Sequence, residues 1–264
     1  LEPVGEHPRT SSSVYSIFLS YAVSLVVPRI GEFARCGVLR RYDGVSFPKA
    51  LGTVVVERAI DSALLMGIAV VTMLCQFSVF NTFFDRTGTN IGALLAGFTT
   101  TGYIVTAVCG LAVCLLAWYI MRRFAIYNKV KATVQGIWQG IMSIRNVKRP
   151  VRFVVFTLAI WACYFLHYYL TFFCFDSTSG LGLSCAMVTF IVGSIAVIVP
   201  TPNGAGPWHF AVKTMLLLYG VGDTDALNFV LIVHSVQTLL VVAMGVWAWA
   251  ALSFTRKRIA QQQP

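Results

Sequence analysis

The chain has 264 residues, of which 57% are hydrophobic and 11% charged, and its formal net charge is +10 at pH 7. A soluble domain carries about 25% charged residues, so this composition excludes an ordinary soluble protein and predicts an all-α integral membrane protein. The excess of Lys and Arg is typical of cytoplasmic loops, so it does not indicate a nucleic-acid partner. The seven cysteines show neither CxxC nor Cys/His spacing, so no metal site, cofactor or disulfide framework is expected.

The first part of the chain is predicted to contain a broken helical segment. Residues 1–12 are polar, and the apolar segment 13–28 is too short to cross a hydrocarbon core of about 30 Å comfortably. A second short segment, 33–42, follows the Pro28–Glu32 break. The two short segments predict a re-entrant helical hairpin, and a single kinked span is the alternative.

The middle of the chain is predicted to contain long helices and one helix of a different kind. The predicted spans are 49–80, 102–121 and 151–175, with a polar loop at 81–97. Over 128–148, basic and apolar residues alternate at helical spacing. That pattern favours an amphipathic helix lying on the bilayer surface.

The last part repeats the plan of the first. The apolar run 181–218 is broken by Pro200–Pro207, and a final span is predicted at 226–254. A break at membrane depth is tolerated only where it is buried or lines a cavity. Small residues at helical spacing precede each break and predict close helix packing. They are Ser16, Ser20 and Ser24 in the first unit and Gly182, Ala186, Thr189 and Gly193 in the second.

The two broken units align with each other as an internal repeat. Gly44-Val45 falls on Gly220-Val221, 176 residues further on, and at the same shift Arg58 falls on His234 and Asp61 on Gln237. Ala50 and Val54 fall on Ala226 and Val230. Because an odd number of predicted spans separates the two hairpins, they enter the membrane from opposite faces, as in an inverted-topology repeat.

These elements form one predicted membrane domain, 1–264, with about four full spans, two re-entrant hairpins in an inverted repeat and one interfacial helix. Its parts are a polar loop at 1–12, a first repeat unit at 13–80, two spans and the interfacial helix at 81–180, a second repeat unit at 181–254 and a basic, polar tail at 255–264.

Five charged residues fall inside or beside apolar segments of the first unit. Arg29 and Glu32 lie at the break, and Glu57, Arg58 and Asp61 lie early in the following helix. A charge in hydrocarbon costs about 2.5–3.5 kcal/mol on insertion scales, so these side chains must be paired or face water. The arginines suit a lipid phosphate through their bidentate donors, with the carboxylates balancing them or meeting a cationic headgroup. A structural salt-bridge cluster that only joins two helices is the alternative.

The second break adds polar candidates for the same headgroup site. Asn203 and Gly204 are candidates there, because the start of a half-helix at Gly204–Trp208 presents backbone N–H donors and a positive dipole end to a phosphate. Lys213 is a further candidate cation, although a lysine at such a position more often extends to the interface. His209 is a candidate for titration and gating, although a lone histidine is more often a hydrogen-bonded packing residue.

Several of these motifs together resemble one family. Pro28-Arg-Ile-Gly-Glu-Phe-Ala-Arg35, Gly52-Thr-Val-Val-Val-Glu-Arg58, Asp61 and Pro200-Thr-Pro-Asn-Gly-Ala-Gly206 are similar to the motifs of the lysylphosphatidylglycerol synthase transmembrane-region family. The resemblance covers essentially the whole chain. Members usually carry extra N-terminal spans, so an N-terminally truncated start is expected here. The family's second motif commonly runs Pro-Gly-Gly, whereas Asn203 precedes Gly204 in this chain.

The resemblance implies lipid handling: a flippase-like translocase that moves a phospholipid or a polyprenyl-linked headgroup between leaflets. Those synthases add a soluble aminoacyl-transfer domain, for which this chain has no room, so aminoacylation is not expected. The expected partners are membrane lipids with an anionic headgroup. The expected location is the bacterial inner membrane, multi-pass, with the basic C-terminus in the cytoplasm.

Two other functions use the same sequence features. A secondary transporter of a small ion or solute has the same repeat architecture. A membrane-embedded lipid-modifying transferase would need a nucleophile and a base poised together, and no Ser/His/Asp or Cys/His set stands out. Enzymatic activity is therefore not expected.

Overall fold

The computed structural model describes residues 1–87, Leu111 and 127–261, and the regular elements in them are all helices. The all-α prediction is therefore confirmed for these residues. The α-helices are α1 Thr10–Val26, α2 Ile30–Asp43, α3 Phe47–Cys75, α4 Phe77–Thr87, α5 Tyr127–Met142, α6 Pro150–Phe172, α7 Asp176–Ser179, α8 Leu183–Ala196, α9 Pro207–Leu218 and α10 Asp223–Gln261. Apart from Leu111, the predicted span 102–121 lies outside the described residues, as does most of the predicted loop 81–97.

Helices α1 and α2 form an antiparallel hairpin rather than one kinked helix. At its open end, the Arg9 guanidinium donates to the Asp43 carboxylate over 2.6 Å. Near its closed end, a Cβ placed on Gly31 would collide with the backbone oxygen of Ser20 and with Oγ of Ser24. Glycine at this position therefore allows the two helices to approach closely, and the serine stripe packs as predicted.

The boundaries of the first unit differ from the prediction at both ends. Helix α1 begins at Thr10, inside the predicted loop 1–12. The preceding residues are held by Glu6, whose carboxylate lies 3.4 Å from the Lys49 ammonium. Helix α3 ends at Cys75 instead of continuing to 80, because Gln76 leaves the helical region with φ −125° and ψ 37°. Neither Gly nor Pro marks this break, and α4 then continues to Thr87.

The predicted amphipathic helix is present as α5, and it packs against α3. Gly52 of α3 faces Gly140 of α5 so closely that a Cβ on either residue would meet the other's backbone. Gly136 lies against the side chain of Pro48, and a Cβ there would come within 2.7 Å of the proline Cβ. The pair Gly136 and Gly140 is a GxxxG pattern, which permits close packing of helices in membranes. The prediction noted the apolar and basic residues but not this glycine face. The interfacial position of α5 stays a prediction.

The second unit repeats the first at the level of the backbone. Helices α8 and α9 form an antiparallel hairpin, in which Cys185 of α8 shares a buried cluster with Leu216 of α9. Gly193 lies against Trp208 near the closed end. Each hairpin is joined to its long helix by a glycine with positive φ, 69° at Gly44 and 88° at Gly220.

The aligned residues of the two units are also equivalent in burial. Val45 is 1% exposed and Val221 7%. The aligned alanines and valines that follow are equally buried in the two units, at Ala50 and Ala226 and at Val54 and Val230. Burial at these positions agrees with the predicted repeat, and its inverted topology stays a prediction.

The two hairpins open toward opposite ends of α3. The first hairpin packs its open end against the start of α3, through Leu39 and Val54. The second packs its open end near the other end of α3, where Met73 and Phe80 contact Met215. Helix α1 packs along α10, and α8 contacts α3, so the first helix of each unit contacts the long helix of the other.

Three helices of the described part are long enough to cross a bilayer. Two of them, Pro150–Phe172 and Asp223–Thr255, are both long and apolar enough to be candidate spans by composition. Helix α3 has 29 residues and is about 43 Å long at 1.5 Å per residue. The middle residues of α3 and α6 are Asp61 and Trp161, and Thr238 is next to the middle of the apolar stretch of α10.

Candidate functional site

The charged residues of α2 and α3 form two adjacent sets of ion pairs, which together make up the charge network. Arg35 of α2 binds Glu57 of α3 through both terminal nitrogens, at 2.6 and 3.2 Å. Arg58 lies one position further along α3, and its guanidinium is 2.9 Å from Asp61 and 3.6 Å from Glu32. The expectation that these charges are paired or face water is confirmed for Arg58, which contacts both Glu32 and Asp61. The network joins α2 to α3 across the first hairpin.

Aromatic side chains of α6 complete this charge network. The Trp161 indole N–H donates to the Asp61 carboxylate over 3.3 Å. One turn further along α6, the Tyr164 hydroxyl lies 3.0 Å from the Tyr21 hydroxyl of α1. Asp61 is therefore fixed between Arg58 and an indole N–H, at the middle of two long helices. The side chains stay accessible: Arg58 is 54% exposed and Asp61 32% exposed.

Arg29 connects the first break to the second. Its backbone adopts φ 66°, in the left-handed region that residues other than glycine rarely occupy. Its guanidinium donates to the carbonyl oxygen of Ile198 over 3.0 Å, just before the second break. Helix α1 also lies against the turn Pro202–Gly204. The two breaks therefore lie close to each other. Arg29 is not part of the ion network around Arg58 in the described residues.

The second break is held by neutral hydrogen bonds to α10. The Asn203 amide donates to the Thr238 hydroxyl over 2.7 Å. The backbone carbonyl oxygen of Asn203 is 3.0 Å from Nε2 of His234. Because that oxygen only accepts hydrogen bonds, Nε2 carries the proton. Asn203 has φ 52°, a conformation that asparagine adopts more readily than most residues. Asparagine can therefore replace the glycine that is common at this position in the family's second motif.

His209 caps the half-helix that the second break begins. Its Nδ1 accepts a hydrogen bond of 3.2 Å from the Gly206 backbone N–H. The His209 and His234 rings lie close to each other, with centroids 4.4 Å apart and planes inclined at 53°. One N–H donor at this helix start is therefore already bonded. Gly204 is buried, and its φ is 73°.

Lys213 lies in a different environment from the other candidates. Its ammonium is 2.8 Å from the carboxylate of Asp223, at the start of α10. Among the described residues it makes no ion pair with Glu32, Glu57 or Asp61. The role of Lys213 at a lipid headgroup stays a prediction, and its ion pair with Asp223 offers a structural alternative to that role.

Sequence reasoning missed Arg35, Trp161 and Tyr164 as members of this site. Arg35 has no predicted site role, although its spacing of three residues from Glu32 places both on one face of α2. The aromatic pair carried no local signal, because Trp and Tyr are common in membrane helices at interfaces. In the part of the chain that the structure describes, no group of three His, Cys, Asp or Glu side chains is arranged to hold a metal ion.

Comparisons with known proteins identify the family. The family model described as "Lysylphosphatidylglycerol synthase TM region" matches residues 1–245. No curated protein matches the chain, and no solved structure does. The match covers both hairpins, the charge network and most of α10, and it agrees with the apolar helices in indicating a membrane protein. The chain therefore belongs to the family of lysylphosphatidylglycerol synthase transmembrane regions.

Proposed function

We propose that this protein is a flippase-like lipid translocase that moves a phospholipid or a polyprenyl-linked lipid headgroup between leaflets. The observation that carries the proposal is the position of the Arg58 network. Arg58 binds Asp61, which is the middle residue of α3 and is hydrogen-bonded to the middle residue of α6. A lipid that crosses the bilayer must carry its phosphate through this depth, where a guanidinium is the best available partner.

The arrangement of the hairpins supports the same function. In the proposal both hairpins are re-entrant and enter from opposite faces, so that their closed ends meet at the bilayer centre. Arg29 and the carbonyl of Ile198 join the two closed ends. The end that carries Arg40, Arg41, Lys49 and Arg149 then faces the cytoplasm, and so does the C-terminus. The proposed location is the bacterial inner membrane.

Because the network is partly exposed, a lipid phosphate can reach Arg58 and replace one of its carboxylate partners. Arg58 is 54% exposed and bridges two carboxylates, so a lipid phosphate can take the place of one of them without new burial. Releasing Glu32, whose ion pair is the longer one at 3.6 Å, leaves Arg58 still held by Asp61. Exchange of one anionic partner for another keeps the charge of the site compensated throughout.

Leaflet exchange in vesicles tests the proposal. Purified protein is placed in phosphatidylcholine vesicles that contain fluorescent phosphatidylglycerol, and the label in the outer leaflet is quenched chemically. We expect the protein to raise the accessible label from about half toward all of it, while protein-free vesicles stay at half. Exchange no faster than in protein-free vesicles would contradict the proposal.

The same vesicles separate the two other functions. A transporter of a small solute would accumulate solute and leave lipid exchange at the background rate. A membrane-embedded transferase would change the mass of the recovered lipid. We expect exchange of lipid whose mass is unchanged.

A further inference from the structure

A cleft of about 700 Å³ lies between α3, the start of α6 and residues 1–3. Thr53, Val56 and Glu57 form its α3 wall, and Arg152, Phe153 and Phe156 form its α6 wall. The turn that contains Lys148 and Arg149 closes one side. Its volume is within the range of about 300–1,000 Å³ that is usual for small-molecule sites.

The charges in this cleft favour an anion. Glu57 is bound by Arg35 through two hydrogen bonds, and Glu2 lies 3.7 Å from Lys148. Arg149 and Arg152 form no ion pair in the described part of the chain. Arg152 lies over the Phe156 ring, 5.2 Å from its centroid, so its guanidinium is close to the apolar wall. After these pairings, the cleft has two uncompensated guanidinium groups.

The walls of the cleft are those of a lipid site rather than a site for a soluble anion. The lining residues Phe153 and Phe156 are 36% and 55% exposed, and both belong to an apolar helix long enough to cross a membrane. Side chains of this kind contact acyl chains when the helix is in a bilayer. A phosphate at the two arginines and a hydrocarbon chain along α6 together describe a phospholipid.

The cleft continues into the Arg58 network. Thr53, Glu57 and Asp61 are spaced four residues apart, so they lie on one face of α3. The first two line the cleft, and the third binds Arg58. On α6, Trp161 is nine residues beyond Arg152, or about 14 Å along the helix. A phosphate at Arg152 is therefore about two and a half helical turns from the proposed translocation site.

We propose that this cleft is an access site for one anionic phospholipid, with Arg149 and Arg152 binding its phosphate and α6 its acyl chains. The lipid then passes along the Thr53–Asp61 face of α3 to Arg58. This inference deepens the proposed function and rests on it for the second step. The binding step is independent of translocation and can be measured alone.

Lipid binding to purified protein tests the inference. Full-length protein in phosphatidylcholine nanodiscs is titrated with spin-labelled phosphatidylglycerol, and the immobilised fraction is measured. We expect R149Q/R152Q to weaken binding roughly thirtyfold, from the usual contribution of two cations at an anionic surface. The matched control R40Q/R41Q removes two exposed arginines from the end of α2 and is expected to leave binding unchanged.

Two further measurements identify the ligand. Spin-labelled phosphatidylcholine should show no difference between the wild type and R149Q/R152Q. Glycerol phosphate without acyl chains should not displace the labelled lipid at a hundredfold excess. Equal loss of binding in both arginine pairs, or displacement by glycerol phosphate, would overturn the inference.

The outcome for the cleft is distinguishable from the outcome for translocation. If R149Q/R152Q binds phosphatidylglycerol as the wild type does while the wild type exchanges lipid normally, the cleft assignment is wrong and the proposed function stands. If binding depends on the two arginines but the wild type exchanges no lipid, the binding site stands and translocation is wrong.

Discussion

The two hairpins share a backbone plan but differ in the chemistry at their closed ends. In the first unit, two ion pairs join α2 to α3, Arg35 with Glu57 and Arg58 with Glu32, and Arg58 also pairs with Asp61 within α3. In the second unit, the equivalent region is neutral and depends on Asn203, His234 and Thr238. At the aligned position, Arg58 corresponds to His234. The same arrangement of elements therefore supports a charged site in the first unit and a neutral, hydrogen-bonded site in the second.

This difference indicates how the two units divide their tasks. Three partly exposed charges near the middle of α3, at Glu57, Arg58 and Asp61, and two more on α2 are costly unless they act on a charged ligand. A short network of neutral hydrogen bonds fixes a broken backbone at lower cost. We infer that the first unit carries the chemistry of the ligand and the second holds the closed end of its hairpin in place.

The largest effect on stability is expected at the closed end of the first hairpin. A Cβ on Gly31 meets the backbone oxygen of Ser20, which cannot move alone, whereas a Cβ on Gly193 meets side-chain atoms of Trp208 and Val212. We expect Gly31→Ala to destabilise the protein by about 3 kcal/mol and Gly193→Ala by about 1 kcal/mol. Thermal unfolding in detergent measures both.

Gly37 provides the matched control on α2. No atom lies within 4 Å of a Cβ placed there, so Gly37→Ala is expected to stabilise the helix by about 0.5–1 kcal/mol. Equal destabilisation by the Gly31 and Gly193 substitutions would contradict the expectation that Gly31 is the more tightly packed of the two.

A smaller effect is expected from the bidentate ion pair. Arg35→Gln leaves the Glu57 carboxylate without its partner, in a site where Arg35 is only 22% exposed. We expect a loss of about 2 kcal/mol in the free energy of unfolding, below the range for fully buried pairs because Glu57 is partly solvated. The double variant R35Q/E57Q should recover most of that loss. If the double variant is no more stable than Arg35→Gln, the loss of this ion pair is not the cause of the destabilisation.

The smallest effect is expected at Lys213. Its partner Asp223 is 69% exposed, and exposed ion pairs contribute about 0–1 kcal/mol. We expect Lys213→Gln to shift stability by less than about 0.5 kcal/mol and to leave lipid exchange at the wild-type rate. A large drop in exchange with stability unchanged would instead assign Lys213 to the headgroup site.

The sequence was most informative where breaks and charges interrupt apolar runs. Pro28 and the Pro200–Pro207 stretch located both hairpins, because proline and glycine end helices for local steric reasons. The charges at Glu57, Arg58 and Asp61 located the network, because their cost in hydrocarbon makes them exceptional. These signals are local, so a single sequence contains them.

Features that depend on three-dimensional neighbours could not be predicted in the same way. The break at Gln76 has no glycine or proline to mark it. The role of Trp161 depends on α6 lying beside Asp61, which no spacing reveals. The contact of Gly52 with Gly140 joins residues 88 positions apart in the chain. The glycine pattern in α5 was visible, but its partner was not.

The central claim is that Arg58 serves a lipid phosphate and is more than a structural ion pair. The most direct measurement is leaflet exchange of fluorescent phosphatidylglycerol by Arg58→Ala and by the swapped variant R58D/D61R, with thermal unfolding recorded for both. Arg41→Ala, an exposed arginine at the end of α2, is the control. We predict that exchange is lost in both variants while the protein stays folded, because the guanidinium must lie at its own position. Normal exchange in Arg58→Ala, or exchange restored in the swapped variant, would contradict the claim.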